Sequence, residues 1–333
     1  MNSSPSPFNP SHGGVAVIIA AHNATKTIVR AVTSALLEPE VSEVVVIDDG
    51  STDNTLNLAS SVEDGRHRVK VIVQTDNRGP AATRNRAIRE SWAPWISILD
   101  ADDFFIPGRI KELLKYCNDA DLIADNAWQV PEDDLGGERK ILLKQTLTAP
   151  QSVSFREFVL SNITDPKRER GELGFIKPLM RRSFLNEHKI RYQEHMRLGE
   201  DYELYAHALA CGAKLLLVPS PGYVSVVRKD SLSGKHTEDD LLNLRNCDLT
   251  LAKLPGLSGR ERRALRKHYV SIDCRLQWRR LISAVKSVSP IDGLATFIKP
   301  LRVQFYLVDK LTRSVAFRAG RMIKWMVPHR KSG

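Results

Sequence analysis

Three acidic groups stand where a chain could use them for chemistry. Asp48-Asp49-Gly50-Ser51 and Asp100-Ala101-Asp102-Asp103 each follow a short apolar run directly, and Glu200-Asp201 sits at the start of a helical stretch. Three carboxylates in four positions repel one another and gain from a hard divalent cation. Mg²⁺ or Mn²⁺ suits such ligands, held by few protein oxygens together with substrate phosphates. The Glu200-Asp201 pair has an ordinary reading as an acidic helix N-terminus, favoured by the helix dipole, and a chemical one as a proton acceptor. Asp48 to Asp53 likewise reads as a turn in which Ser51 or Thr52 caps the next helix.

The elements that must position these acids alternate in period. Apolar runs at 15–20, 43–47, 69–73 and 95–99 are separated by helical patterns at 25–37, 53–61, 80–91 and 107–116. Short strands alternating with helices predict βαβ crossovers and a mainly parallel sheet, an α/β fold whose ligand crevice lies at the carboxyl ends of the strands. Both acidic clusters fall at such ends. After residue 125 the alternation stops. Residues 131–150 read as a loop or hairpin excursion and 154–161 as a helix. A polar loop at 162–172 precedes a strand near 175–180 and a helix at 199–211, and 214–218 and 223–227 are short strands. From Glu238 onward the pattern is wholly helical. The expected organisation is a loose tail over 1–14, a domain over 15–236 with halves at 15–125 and 126–236, and a basic helical region over 237–333.

The chain has 333 residues, 42% hydrophobic and 26% charged, which excludes a disordered chain or a small disulfide scaffold. No apolar run near the N-terminus approaches the roughly 20 residues of a spanning helix. Residues 1–14 lack the basic and apolar stretches of a signal peptide. Cys117, Cys211, Cys247 and Cys274 are far apart, as expected of reduced thiols in a cytosolic protein. From Arg260 onward 18 Lys/Arg face four acids, a charge of +14, which leaves −4 for the first 259 residues. The basic region therefore expects an anionic partner.

Four motifs occur in order: Ala20-Ala-His-Asn23, Ile47-Asp-Asp-Gly-Ser-Thr-Asp53, Asn77-Arg-Gly-Pro-Ala-Ala-Thr-Arg-Asn85 and Leu99-Asp-Ala-Asp-Asp103. Together they resemble the family 2 glycosyltransferases of the GT-A fold, closely over 15–125 and more loosely over 175–235. Residues 175–195 are similar to rhizobial exopolysaccharide glucosyltransferases of the succinoglycan type. The resemblance implies an inverting transfer of a sugar, glucose first, from a UDP-sugar to a saccharide hydroxyl, with Mn²⁺ or Mg²⁺ as cofactor. It implies that Ala20, His22 and Asp49 line the base pocket, with Asn23 among the nucleotide-sugar residues and Asp49 accepting from the uracil NH. His22 stands where the family commonly has Tyr. Arg84 would lie near the base or diphosphate, Asp100 at the ribose or sugar, and Asp102 with Asp103 at the metal. Asp201 would be the catalytic base, with Glu200 as the alternative. Lys177 would face sugar or acceptor, and Arg228, Lys235 or His236 would close over the diphosphate.

Two rival readings are carried beside it. A metal-dependent nucleotidyltransferase would show a Gly-rich basic loop after the first strand, and Ala20 to Thr25 is not one; a dinucleotide-dependent oxidoreductase fails likewise, since no G-x-G-x-x-G follows that strand. A catalytically inactive scaffold in polysaccharide assembly is the rival from outside the enzymes. Near the C-terminus, Leu301, Val308, Val315 and Met322 recur every seven residues, as do Phe305, Thr312, Ala319 and Met326, among Lys and Arg. This stripe reads either as a helix packed on the body or as an interfacial helix, with Trp325 near lipid headgroups. The second reading places the chain on the inner face of the cytoplasmic membrane, with a lipid-linked acceptor. No nucleic-acid recognition motif is present.

Overall fold

The structure is a computed structural model that describes residues 14–326 apart from 64, 144–146, 164–170 and 229–235; side chains of Ser220 and of 315–326 are likewise left aside. Its first half follows the alternation: β1 (Val15–Ala21), α1 (Ile28–Leu36), β2 (Val41–Asp49), α2 (Thr55–Ser60), β3 (Val69–Gln74), α3 (Pro80–Glu90) and β4 (Trp95–Ile98). The run Val-Ala-Val-Ile-Ile in β1 is fully buried because the strand is covered on both faces. β1 pairs in parallel with β2 and β4, and β2 with β3.

A second group of elements extends the sheet. β5 (Phe104–Phe105), α4 (Arg109–Leu114), β6 (Leu122–Pro131), β7 (Lys140–Ile141), β8 (Gln151–Val153) and α5 (Phe155–Ser161) precede a 3₁₀ turn at Leu173–Phe175. β9 (Leu179–Arg181), α6 (Arg182–Glu187), α7 (Glu200–Ala210) and β10 (Leu215–Val227) follow. The strand order is β3-β2-β1-β4-β9-β6-β10-β5. β9 is antiparallel to both β4 and β6, so it joins two parallel blocks into one mixed sheet. Three expectations are corrected here. β6 is a ten-residue strand where the alternation had been read as ending. The two strands at 214–218 and 223–227 are one element with a shifted register between Val218 and Tyr223. The segment near 175–180 contributes only Leu179–Arg181 to the sheet, after the 3₁₀ turn.

The remaining elements are α8 (Glu238–Leu251), α9 (Gly259–Lys286), α10 (Pro290–Ala295) and α11 (Leu301–Met326). α8 and α9 each begin with a capping box, Thr237 with Asp240 and Ser258 with Glu261, which satisfies free backbone donors at both helix starts. α8 and α9 join the main core through Leu241, Leu244, Leu251, Leu265 and Leu276. Under α7, Asp248 accepts from Tyr202 Oη at 2.8 Å and pairs with His268 Nδ1 at 2.7 Å, pinning the helix that carries Asp201 to both. No described helix is long and apolar enough to cross a membrane. The four cysteines are free, and three are buried.

Candidate active site

At the carboxyl ends of β1 and β2, Asn23 takes the left-handed conformation (φ 51°) that Asn tolerates better than most residues. Its side-chain oxygen accepts from the Thr52 amide at 2.9 Å, and its own amide donates to Ser51 Oγ. Ser51 and Thr52 are thus spent on the β1 loop rather than on capping α2. Asp53 binds the Thr55 amide instead, at 3.0 Å. His22 Nδ1 lies 3.0 Å from the Asp49 carbonyl, with its ring exposed beside half-buried Ala20. Asp49 is buried and accepts from Gln74 Nε2 (2.7 Å) and from the amides of Arg78 (2.8 Å) and Gly79 (2.9 Å). The turn between them uses Gly50 at φ 69°, where a Cβ would lie 3.1 Å from the Asn77 amide nitrogen. Asp49 therefore fixes the loop that opens α3.

The same helix carries Arg84 into a second group. Arg84 donates to Asp100 Oδ1 (2.6 Å) and Glu200 Oε1 (2.9 Å), and its Nη1 lies 3.5 Å from Asp201 Oδ1. Lys177 Nζ contacts Asp100 Oδ2 at 3.0 Å and Asp201 Oδ2 at 2.6 Å. Two buried cations thus hold three carboxylates from the ends of β4 and α7. Burial opposes ionisation of Asp100, but Lys177 and Arg84 outweigh it and hold the carboxyl well below its ordinary range. Burial would discharge Lys177, and Asp100 with Asp201 reverses that, so the ammonium persists.

Further residues place these groups. Tyr192 Oη donates to Asp201 Oδ1 at 3.0 Å, and burial next to Asp201 keeps its phenol protonated. Asn85 holds the Tyr192 backbone from both sides, donating to its carbonyl (2.9 Å) and accepting from its amide (3.0 Å). Lys177 is anchored through its carbonyl, which accepts from Arg109 Nη2 at 2.6 Å. Arg109 in turn makes a fully buried ion pair with Asp125 of β6 at 2.7 Å. Gly199, at φ 73°, precedes α7, and a Cβ there would meet Leu244 Cδ1 at 2.6 Å. That glycine lets α7 start with Glu200 and Asp201 facing Arg84.

The remaining two acids of the 100–103 cluster diverge. Asp102 Oδ2 pairs with Arg228 Nη2 at 2.5 Å, while its backbone carbonyl accepts from Arg30. Burial and then the Asp100 charge lift its proton affinity even with Arg228 in place, so positive charge is still in deficit there. Arg228 also has a buried Nε without a partner among the described residues. Asp103, expected beside Asp102 as a metal ligand, turns into the protein. It is buried, and its oxygens accept from Tyr223 Oη (2.7 Å) and the Val226 amide (2.8 Å). It ties the loop to β10, and that use leaves Asp102 as the acid whose charge deficit fits a divalent cation. No set of three His, Cys, Asp or Glu converges among the described residues.

Arg84, Asp100, Lys177, Glu200 and Asp201 are therefore brought into one network, and His22, Asn23 and Asp49 into another near the end of β1, where Ala20 lies, with α3 touching both. Lys235 and most of the 228–236 segment lie outside the described residues; His236 is described. Tyr192, Asn85 and Tyr223 escaped the sequence reading. Asn85 had a signal, since it follows Arg84 within one motif; Tyr192 sits in a segment without periodicity, and Tyr223 opens an expected strand that gave no sign of its contact with Asp103.

The glycosyl transferase family 2 model matches residues 16–184. The succinoglycan biosynthesis protein ExoU of Rhizobium meliloti (strain 1021) is 46% identical over 268 residues, covering 80% of this chain and 78% of that protein. ExoO of the same organism is 36% identical, over 66% of this chain and 62% of its own length. Among solved structures, S. aureus TarS 1–349 in complex with UDP-GlcNAc superposes with a TM-score of 0.62 at 15% identity, covering 85% of this chain and 90% of that one. The complex with UDP gives 0.60. At that identity the likeness concerns the fold, and it extends past the sheet into the helical region.

Proposed function

The chain belongs to glycosyltransferase family 2, and we propose that it transfers glucose from UDP-glucose, with inversion, to a hydroxyl of a lipid-linked saccharide during exopolysaccharide synthesis. The observation that carries this reading is the meeting of Asp100 and Asp201 on Lys177 and Arg84, at the carboxyl end of β4 where an α/β sheet binds ligands. Ala20, His22, Asn23 and Asp49 take the nucleoside. Asp102 would hold Mn²⁺ or Mg²⁺, with Asp100 at the ribose or sugar. When bound, the ion supplies positive charge against the departing diphosphate.

The chain's own groups do the rest. Arg84, Lys177 and Arg228 stand ready to face phosphate oxygens and the charge that develops on them. Asp201 takes the proton of the acceptor hydroxyl as its oxygen bonds to the anomeric carbon. The old C–O bond breaks toward the diphosphate, which keeps the electron pair. Lys177 and Tyr192 hold Asp201 oriented and supply the countercharge and hydrogen bond that a buried carboxylate needs. Glu200, paired with Arg84, is the neighbouring acid and serves position rather than proton transfer.

Thermal melting against UDP, GDP, dTDP and CMP, each with and without Mn²⁺, tests the donor. A ligand bound only by the folded chain raises the midpoint. The expected result is a rise with UDP that grows with Mn²⁺, followed by release of UDP from UDP-glucose when a lipid-linked oligosaccharide extract is supplied. A rise with GDP or dTDP alone would overturn the donor, and donor binding without any turnover would favour the scaffold reading.

A further inference from the structure

α10 and α11 both pack on α9, and the way they do so leaves one face uncovered. On α11 the inward residues are Val303 and Leu307, buried against Cys274 and Leu281 of α9. Leu301 and Phe305, members of the seven-residue stripe, point outward instead, 68% and 71% exposed. Over its described apolar members Leu301, Phe305 and Val308 the stripe is therefore not the packing face. On α10 and the turns that flank it, Ile298 is 80%, Leu294 70%, Ile291 78% and Val288 85% exposed. Six large apolar side chains lie outside the core within 18 residues, a clustering rare on a monomeric surface. Val288 adds a second oddity. It adopts φ 54°, a left-handed conformation that a β-branched side chain resists, at the apex of the α9–α10 turn. A glycine or asparagine would fit that backbone more easily, yet the position carries an exposed valine.

The rim of this face is cationic. Lys286, Lys299 and Arg302 flank it, and none has a carboxylate at ion-pair distance among the described residues. Asp292, an acid within the segment, accepts from Ser289 Oγ at 2.6 Å. We propose that the turn after α9, α10 and the first turns of α11 form a membrane-docking surface for anionic phospholipid. Val288, Ile291, Leu294 and Ile298 enter the acyl boundary while Lys286, Lys299 and Arg302 meet headgroup phosphates. Apolar burial and cationic contact add in that geometry. A second copy of the chain fits less well, since a two-fold interface on this face would set the two basic rims against each other. The surface would also hold the enzyme where a lipid-linked acceptor resides, but its evidence is independent of that substrate.

The test is co-sedimentation of the full chain with vesicles of phosphatidylcholine alone or with about 30% phosphatidylglycerol, without nucleotide or acceptor. The wild-type chain should sediment with the anionic vesicles and lose most binding when salt rises from about 0.1 M to about 0.5 M. Ile291→Asp/Ile298→Asp should lower the partition at least tenfold with an unchanged melting midpoint, as befits exposed positions. Lys299→Glu/Arg302→Glu should do the same and also flatten the salt dependence. Absence of wild-type binding to anionic vesicles would overturn the proposal. So would equal binding by both double variants, or a dimer that the Ile variant dissociates while vesicle binding is nil. Because no sugar donor is involved, a failure here leaves the transfer reaction untouched, and failure of that reaction leaves this surface intact.

Discussion

Two buried ionic networks lie near each other in this molecule and are built on opposite plans. Arg109 and Asp125 form a closed pair. The arginine also donates to Ser97 Oγ and the Lys177 carbonyl, and Asp125 Oδ2 accepts from the Gly222 amide. Among the described residues each partner has one ion-pair contact, Arg109 with Asp125, and Glu38 feels the arginine only at longer range. Arg84 and Lys177 form an open lattice in which each cation touches at least two acids: Asp100, Glu200 and Asp201 for the arginine, Asp100 and Asp201 for the lysine. The closed pair fixes position; the open lattice can exchange one partner for a phosphate without leaving a bare charge. Both networks are buried, and they differ in the number of alternative partners each charge has.

The largest expected effect is on turnover. Asp201→Asn should lower transfer by about 10²- to 10⁴-fold, the range for loss of a general base. Lys177 keeps Asp100 as a partner in that variant, so urea unfolding should show a stability loss of about 1 kcal/mol, a typical hydrogen-bond contribution. UDP binding measured by calorimetry should persist. A variant that transfers normally would remove Asp201 from the mechanism, and one that fails to fold would show the lattice to be closed after all. Arg109→Met comes next, with a stability loss of about 3–5 kcal/mol because Asp125 is left buried and unpaired. Arg109→Met/Asp125→Leu should recover much of that loss. If the single change costs under about 1 kcal/mol, the comparison between the two networks collapses.

How far the sequence reveals these networks depends on where their members lie. β1 to β4 are legible because burial on both faces writes continuous apolar runs, and the acids that follow β2 and β4 mark the crevice. β6 is not legible. Its middle carries Asp125 and Asn126, which are buried only because Arg109 and the Leu143 backbone pair with them, and two polar residues in a row break a strand pattern. The pairing of Lys177 with Asp201 is a tertiary fact about two segments without shared periodicity. Asp103 shows the converse: three close acids read as one ligand set, but backbone direction sends this one toward Val226. In α11 the seven-residue stripe is visible while its orientation is not, because Val303 and Leu307 supply an inner face that the count by sevens does not single out.

Smaller effects sharpen the contrast further. Tyr192→Phe removes one hydrogen bond from Asp201 while Lys177 and Arg84 remain, so transfer should fall about tenfold, corresponding to a hydrogen bond to a charged group. In steady-state kinetics kcat should fall with little change in the KM for donor; a change in KM alone would move Tyr192 from base to substrate. The smallest effect concerns Asp53, which joins the β1 loop to α2 through Thr25 and Thr55. Slight desolvation works to raise its carboxyl pKa, and the hydrogen bonds from Thr25 and Thr55 outweigh it, holding it at about 2 against an ordinary 3.8. A carboxyl pKa lowered by folding stabilises the fold above the ordinary value, and that contribution is lost as pH falls from about 4 through about 2. Melting midpoints across that window should decline less steeply in Asp53→Asn than in the wild type, with the two curves offset at neutral pH. Parallel curves would mean that Asp53 keeps its ordinary affinity for protons, and that the loop beside His22 and Asn23 is held by Ser51, Thr52 and Asn23 alone.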